Sequence, residues 1–194
     1  LPSEDYPSLA RIMNAAGYES VLCGKMHYDR TRRYGFTEIG GNMNRHYKKG
    51  IGARRRADDL TPQPGISARF DEFHAGDTSP VIEHDIAVSA GVVKFLKKGR
   101  RNAKPFFLIA GFIAPHFPLI VPEAYWEPYR GKAPMPVIPE GFLDQLPLNY
   151  KHLRIGFNVE DVPEDIVRKS RELYYGFVQW VDDQIGQVLQ ALDD

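Results

Sequence analysis

From Pro105 to Pro118 the chain reads PFFLIAGFIAPHFP, and within it Phe106 to Ile113 is an unbroken apolar run with neither charge nor alternation. A half-exposed strand alternates apolar with polar residues, so a run without alternation fits a strand covered on both faces. It predicts a buried central strand. Pro115 and Pro118 then bracket His116. Each proline fixes φ and removes a backbone donor, so the imidazole is expected on a stiff loop just past the carboxyl end of the strand. Open α/β sheets bind ligands at such ends, which makes His116 the first candidate site residue.

The segments before this run supply matching layers. Leu9, Ile12, Met13 and Ala16 recur at helical spacing ahead of Gly17, which predicts a short amphipathic helix over 8–16. Tyr18 to Cys23 reads as a strand ending in the apolar triplet Val21, Leu22 and Cys23, and Gly24-Lys25-Met26-His27 as the loop that follows. Lys25 and His27 therefore fall at a second strand exit, although the tetrapeptide alone reads more readily as a solvated lysine and a surface histidine. A helix is expected over 84–98, with Ile86, Ala90, Val93 and Leu96 on one face and a basic end that complements the helix dipole. It leads directly into the strand at Phe106, giving the order strand, helix, strand of α/β layering.

Two stretches have little periodicity. Residues 29–83 read as a loop-rich excursion whose first part, 29–56, carries nine Lys or Arg against two acidic residues. Such a loop attracts anions, yet a solvated excursion explains it equally well, and no nucleic-acid motif accompanies its aromatics. Residues 119–162 read as a proline-rich cover over one sheet edge. The chain closes on its longest predicted helix, from Asp161 and Pro163 through Ile166, Leu173, Phe177, Val181, Ile185 and Val188 to Leu192. Asp182 and Asp183 on it are expected to face solvent rather than a metal, and no metal ligand is assigned in this chain.

Composition removes several classes of function. Lys plus Arg equals Asp plus Glu, so overall charge argues for neither nucleic acid nor a membrane surface as partner. The single cysteine, Cys23, excludes an internal disulfide or a cysteine-rich zinc site and is expected to be a buried thiol. No apolar stretch approaches the roughly 20 residues of a membrane span. The chain opens without methionine on the lead-in to a helix, and its natural N-terminus is expected elsewhere.

Five pieces, in this order, resemble a type I sulfatase of the alkaline phosphatase superfamily: LARIMNAAGY (Leu9 to Tyr18), the Gly24-Lys25-Met26-His27 loop, Tyr34-Gly35-Phe36, PFFLIAGFIAPHFPL with its Pro-His-x-Pro turn, and ELYYGFVQWVDDQIGQVLQALDD (Glu172 to Asp194). Each is weak alone, but together they cover most of the chain. The resemblance implies an α/β sandwich, a mixed β-sheet flanked by helices and incomplete in this chain, with residues 1–194 forming part of a single sulfatase catalytic domain. It implies that Lys25 contacts the sulfate and the nucleophile, that His27 orients the nucleophile, and that His116 contacts the sulfate or its leaving oxygen. It also implies a formylglycine nucleophile and a calcium or magnesium ion. Their motifs are missing here: Cys23 is followed by Gly24 and Lys25 rather than by the proline and arginine of a formylglycine motif, and Asp58-Asp59 is a poor substitute for the metal-binding pairs. Nucleophile and metal ligands are thus expected outside this chain, which alone is expected to be inactive and, with uncovered edges, able to self-associate.

The segment around Met26 resembles choline-sulfatase-like members and the segment from His116 to Tyr150 iduronate-sulfatase-like ones, so the expected partner is a sulfated small molecule or carbohydrate. The resemblance favours a periplasmic or secreted compartment. A phosphate or phosphonate ester hydrolase of the same superfamily would use much the same loops. A non-catalytic module whose basic loop captures an anionic glycan is the alternative of a different class.

Overall fold

The computed structural model describes residues 3–26, 32–40, 65–99 and 104–194. His27, Asp58-Asp59 and all but Arg32 and Arg33 of the basic residues in 29–56 lie outside the described residues. The elements run α1 (Leu9–Ala15), β1 (Glu19–Gly24), β2 (Thr37–Ile39), β3 (Phe73–Ala75), α2 (Pro80–Lys94), β4 (Phe106–Gly111), β5 (Leu119–Val121), α3 (Glu123–Trp126), α4 (Leu148–Gly156) and α5 (Glu164–Asp193). They group into two compact units, one drawn from 1–49, 78–116 and 178–194, the other from 50–77 and 117–177. No helix among the described residues is long and apolar enough to cross a membrane.

The first unit is an α/β sandwich on a parallel sheet of order β2-β1-β4. Along β1 the side chains alternate between two apolar clusters, because successive residues of a strand point to opposite faces. Leu22 packs with Ala10 of α1, Phe36, Phe107 and Ile109 on one side. Cys23 packs with Val88 and Val92 of α2, Leu108, Ala110 and Val188 of α5 on the other. Val21, Leu22 and Cys23 are fully buried, and each aliphatic side chain removed from water there is worth about 1.5–3 kcal/mol.

Helix α1 begins where Ser8 accepts a hydrogen bond from the Arg11 N–H. It ends at Gly17, φ 91°, where the Tyr18 N–H donates to Met13 and the Gly17 N–H to Asn14. This pairing closes a helix through a left-handed glycine. The buried face is nevertheless Ala10, while Leu9 and Ile12 are 59% and 57% exposed. A small side chain lets the helix approach the sheet closely, so the large apolar residues expected inward point outward.

The run Phe106 to Ile113 forms a strand over Phe106–Gly111, but not the central one among the described strands. β1 holds the centre of the described sheet, and β4, paired with β1 alone among the described strands, is only half-buried at every position. Absence of alternation reported cover on its faces and carried no information about which strands pair along its flanks. Helix α2 also turns a different face inward: Val81, Ile82, Asp85, Val88, Ser89 and Val92 are buried, whereas Ile86 is half-exposed. Two polar residues on the inner face, each with hydrogen-bond partners, conceal the true stripe from an apolar count. Ser89 donates from Oγ to the Asp85 carbonyl at 3.1 Å or to Gln184 Oε1 at 3.2 Å.

The second unit is built on a parallel pair, β3 with β5. Both short strands lie where the sequence shows little periodicity. Leu119, Val121, Leu173 and Phe177 are its buried aliphatic and aromatic residues with the least exposure. Glu172 on α5, 6% exposed, accepts hydrogen bonds from Trp126 Nε1 at 3.2 Å and from the Gly131 N–H at 2.9 Å. Arg69 lies over the rings of Phe117 and Phe157 at 5.5 and 4.1 Å, a favourable cation–π geometry.

Candidate active site

Lys25 directly follows β1, and the loop from Phe112 to Pro118 directly follows β4. The two strands are parallel neighbours in register from Glu19↔Phe106 to Gly24↔Gly111. Their carboxyl ends therefore coincide, and the two loops that the sequence singled out leave the sheet side by side. The ladder continues one step beyond the strand, where the Lys25 N–H donates to the Gly111 carbonyl at 2.7 Å.

Two glycines permit this approach. A Cβ on Gly24, φ 96°, would meet the Gly111 carbonyl oxygen and Val88 Cγ2, and a Cβ on Gly111 would strike the Lys25 backbone. Any side chain at either position would wedge the strands apart where the loops begin. Lys25 itself is half-buried, a setting in which its methylene stem can pack while the ammonium reaches solvent or a bound anion.

The His116 loop carries two prolines as expected, each following a cis peptide bond, Ala114-Pro115 and Phe117-Pro118. His116 is exposed, and its N–H donates to the Ile113 carbonyl at 3.0 Å. The backbone ahead of it is held by a residue that apolar periodicity passed over. Asp85, on α2 and fully buried, accepts from the Ile113 N–H through Oδ1 and from the Ala114 N–H through Oδ2, both at 2.8 Å. His84 Nδ1 lies 2.7 Å from the same Oδ1. A buried carboxylate must be matched by donors, and three meet this one. The signal in the sequence was an acidic residue three positions after Ile82 and three before Val88, on a helix face that is otherwise apolar or hydroxyl-bearing.

Cys23 is buried at the floor of the same strand end. Burial, with a further push from the Glu38 carboxylate, raises its thiol from 9.0 to about 11. It is a packing thiol, as expected, with Sγ 3.6 Å from the Val88 carbonyl. Glu38 is engaged by Arg33 Nε at 2.6 Å. Among the described residues no group of three or more His, Cys, Asp or Glu converges to hold a metal ion; Asp182 and Asp183 are exposed. These residues do not make a calcium or magnesium site.

A lysine and a histidine at coincident strand ends suit an anionic group, which an ammonium and an imidazole can hold by charge and hydrogen bonding. Comparison with known proteins bears on which anion. The sequence matches the family profile described as Sulfatase over residues 1–194. Iduronate 2-sulfatase of Mus musculus is 32% identical over 118 residues, covering 53% of this chain and 21% of that protein. The uncharacterized sulfatase YidJ of Escherichia coli is 24% identical over 198 residues, covering 98% of this chain and 39% of that protein. Choline-sulfatase of Rhizobium meliloti is 22% identical over 207 residues, with 96% and 38% covered. The chain thus spans from about a fifth to two fifths of the length of these relatives.

Proposed function

The chain belongs to the sulfatase family, and on that footing we propose that the protein hydrolyses sulfate esters, with Lys25, His27 and His116 forming part of the substrate site. The observation that carries this reading is the in-register pairing of β1 with β4, which brings the Lys25 loop and the His116 loop to one end of one sheet. Cleaving a sulfate ester builds negative charge on the oxygens around sulfur and on the leaving oxygen. Fixed donors aimed at that charge lower the barrier because they need no reorganisation when it develops. Lys25 serves as the sulfate contact. His116 hydrogen-bonds the sulfate or protonates the leaving oxygen as a general acid, and His27 orients the nucleophile.

The formylglycine nucleophile and the calcium or magnesium ion belong, in this reading, to parts of the enzyme other than these 194 residues. Cys23 is buried with a raised pKa, opposite to what a nucleophilic thiol requires. The substrate is a sulfated small molecule or carbohydrate; the relatives' names span an iduronate and a choline ester.

The test uses the full-length protein that contains this chain, with 4-nitrophenyl sulfate as probe. Lys25→Ala and His116→Ala should each lower turnover by at least about a hundredfold, the usual order for losing a donor to transition-state charge, with the thermal midpoint retained. Turnover near the wild-type rate in either variant removes that residue from the site. Faster turnover of a 4-nitrophenyl phosphonate monoester than of the sulfate would reassign the protein to phosphonate chemistry.

A further inference from the structure

We propose that Asp85 is a positioning residue for the reaction, acting through the loop that carries His116, a role that rests on the sulfatase reading of His116 above. The loop leaves β4 at Gly111 and must place His116 within a few residues, with little regular structure to guide it. The backbone donors from Ile113 to His116 are accounted for one after another. The Ile113 and Ala114 N–H groups both go to the Asp85 carboxylate at 2.8 Å, Pro115 has none to give, and the His116 N–H turns back to the Ile113 carbonyl at 3.0 Å. Each of these bonds constrains the same short arc, and Asp85 supplies two that tie it to helix α2.

Asp85 is itself fixed. It sits in the second turn of α2, whose start is set by Ser79, with Oγ accepting from the Ile82 N–H at 3.2 Å, and by Pro80 in the first turn. No part of Asp85 is exposed, so water cannot replace its partners. His84, its side chain 8% exposed, donates from Nδ1 to Oδ1 at 2.7 Å and restrains the carboxylate rotamer. The helix that packs on β1 and β4 through Val88 and Val92 therefore also sets the path of the loop beyond them. A displacement of about 1 Å in a reacting group costs on the order of a hundredfold in rate. Loss of this clamp should be felt at His116 before it is felt in the fold.

The experiment compares wild type, Asp85→Asn, His116→Ala and the double variant of the full-length protein, each with 4-nitrophenyl sulfate and each by hydrogen–deuterium exchange of the peptide covering 112–118. Asparagine keeps the shape of the side chain but presents an NH2 group to one of the two N–H donors. In Asp85→Asn, kcat should fall about 10- to 100-fold with KM within about threefold, and the 112–118 peptide should exchange at least tenfold faster while peptides from β1 keep their protection. The double variant should be no more than about twofold slower than His116→Ala, because residues acting through one group do not add.

Multiplicative losses in the double variant, or unchanged exchange over 112–118 in Asp85→Asn, overturn the proposal. Full activity in His116→Ala overturns the sulfatase assignment of His116 instead, while the exchange arm still decides whether Asp85 holds the loop. Should Asp85→Asn lack a cooperative thermal transition, Asp85→Glu is measured in its place. One extra methylene cannot meet both N–H groups in the same geometry, so the same kinetic and exchange changes are expected, and wild-type behaviour would again overturn the proposal.

Discussion

Gly24 and Gly111 are Cα partners on the last rung of the β1–β4 ladder, and neither has room for a side chain. Gly24 also holds φ at 96°, a region that L-residues enter only at a cost. Gly24→Ala therefore combines backbone strain with a clash against the Gly111 carbonyl and Val88, and Gly111→Ala drives a methyl group into the Lys25 backbone, whose nitrogen would lie 2.8 Å away. Overpacking of this kind costs about 1–3 kcal/mol. Both variants should lower the unfolding free energy from urea titration by that amount and reduce turnover more than the lost stability explains, because the displaced segment is the one bearing Lys25. A Gly24→Ala protein with wild-type turnover and midpoint would show that this strand end tolerates separation.

Cys23 gives a prediction in pH. Its thiol is raised from 9.0 to about 11 in the fold, chiefly by burial, so the unfolded chain loses this proton first. Its contribution to stability is complete below about pH 9 and is lost as pH rises from there to about 11. Urea midpoints measured between pH 8 and 11 should fall more steeply for the wild type than for Cys23→Ala, the difference cancelling the other groups that titrate in that range. The same burial should make the native thiol react with iodoacetamide far more slowly than the urea-unfolded thiol. Equal rates in the two states would contradict the buried placement.

Ser79 starts the helix that carries Asp85, accepting from the Ile82 N–H while 5% exposed. Replacing such a cap with alanine costs about 1 kcal/mol. Ser79→Ala should therefore lower the midpoint modestly, whereas Ser79→Asp, which restores an acceptor next to the positive end of the helix dipole, should recover most of the loss. Absence of recovery would mean that fit in the buried pocket, not capping, dominates at this position.

Legibility in the sequence followed the kind of information each segment carried. The strand at Val21 to Cys23 and the turn around His116 were readable because an apolar run and paired prolines are local signals, and both proved to be where they were expected. Which strand lay at the centre was not readable, since Phe106 to Gly111 reports only what covers its own faces and the pairing partner is set by residues more than 80 positions away. β3 and β5 are three residues each, too short for a period to register. At the candidate site, Lys25 and His116 stood out by chemistry next to a strand end. Asp85 did not, because its role is written in two backbone N–H groups 28 and 29 residues later, and a backbone donor leaves no mark in a sequence.

Glu172 and Trp126 supply the last test. The Glu172 side chain joins α5 to the turn that follows α3 by accepting from Trp126 Nε1 and from the Gly131 N–H, and it does so while 6% exposed. Glu172→Ala removes the acceptor of the half-buried Trp126 indole N–H and of the exposed Gly131 amide, at about 0.5–1.5 kcal/mol for each hydrogen bond lost. Glu172→Gln keeps one carbonyl oxygen and should cost about half as much. Trp126 is one of two tryptophans in the chain, so a Trp180→Phe background isolates its fluorescence. In that background Glu172→Ala should shift Trp126 emission to longer wavelength as water reaches the freed indole N–H. An unshifted spectrum with an unchanged urea midpoint would show that the indole and the Gly131 amide find other acceptors, and that α5 is held to the turn by packing such as the close approach of Gly176 to the Tyr125 carbonyl.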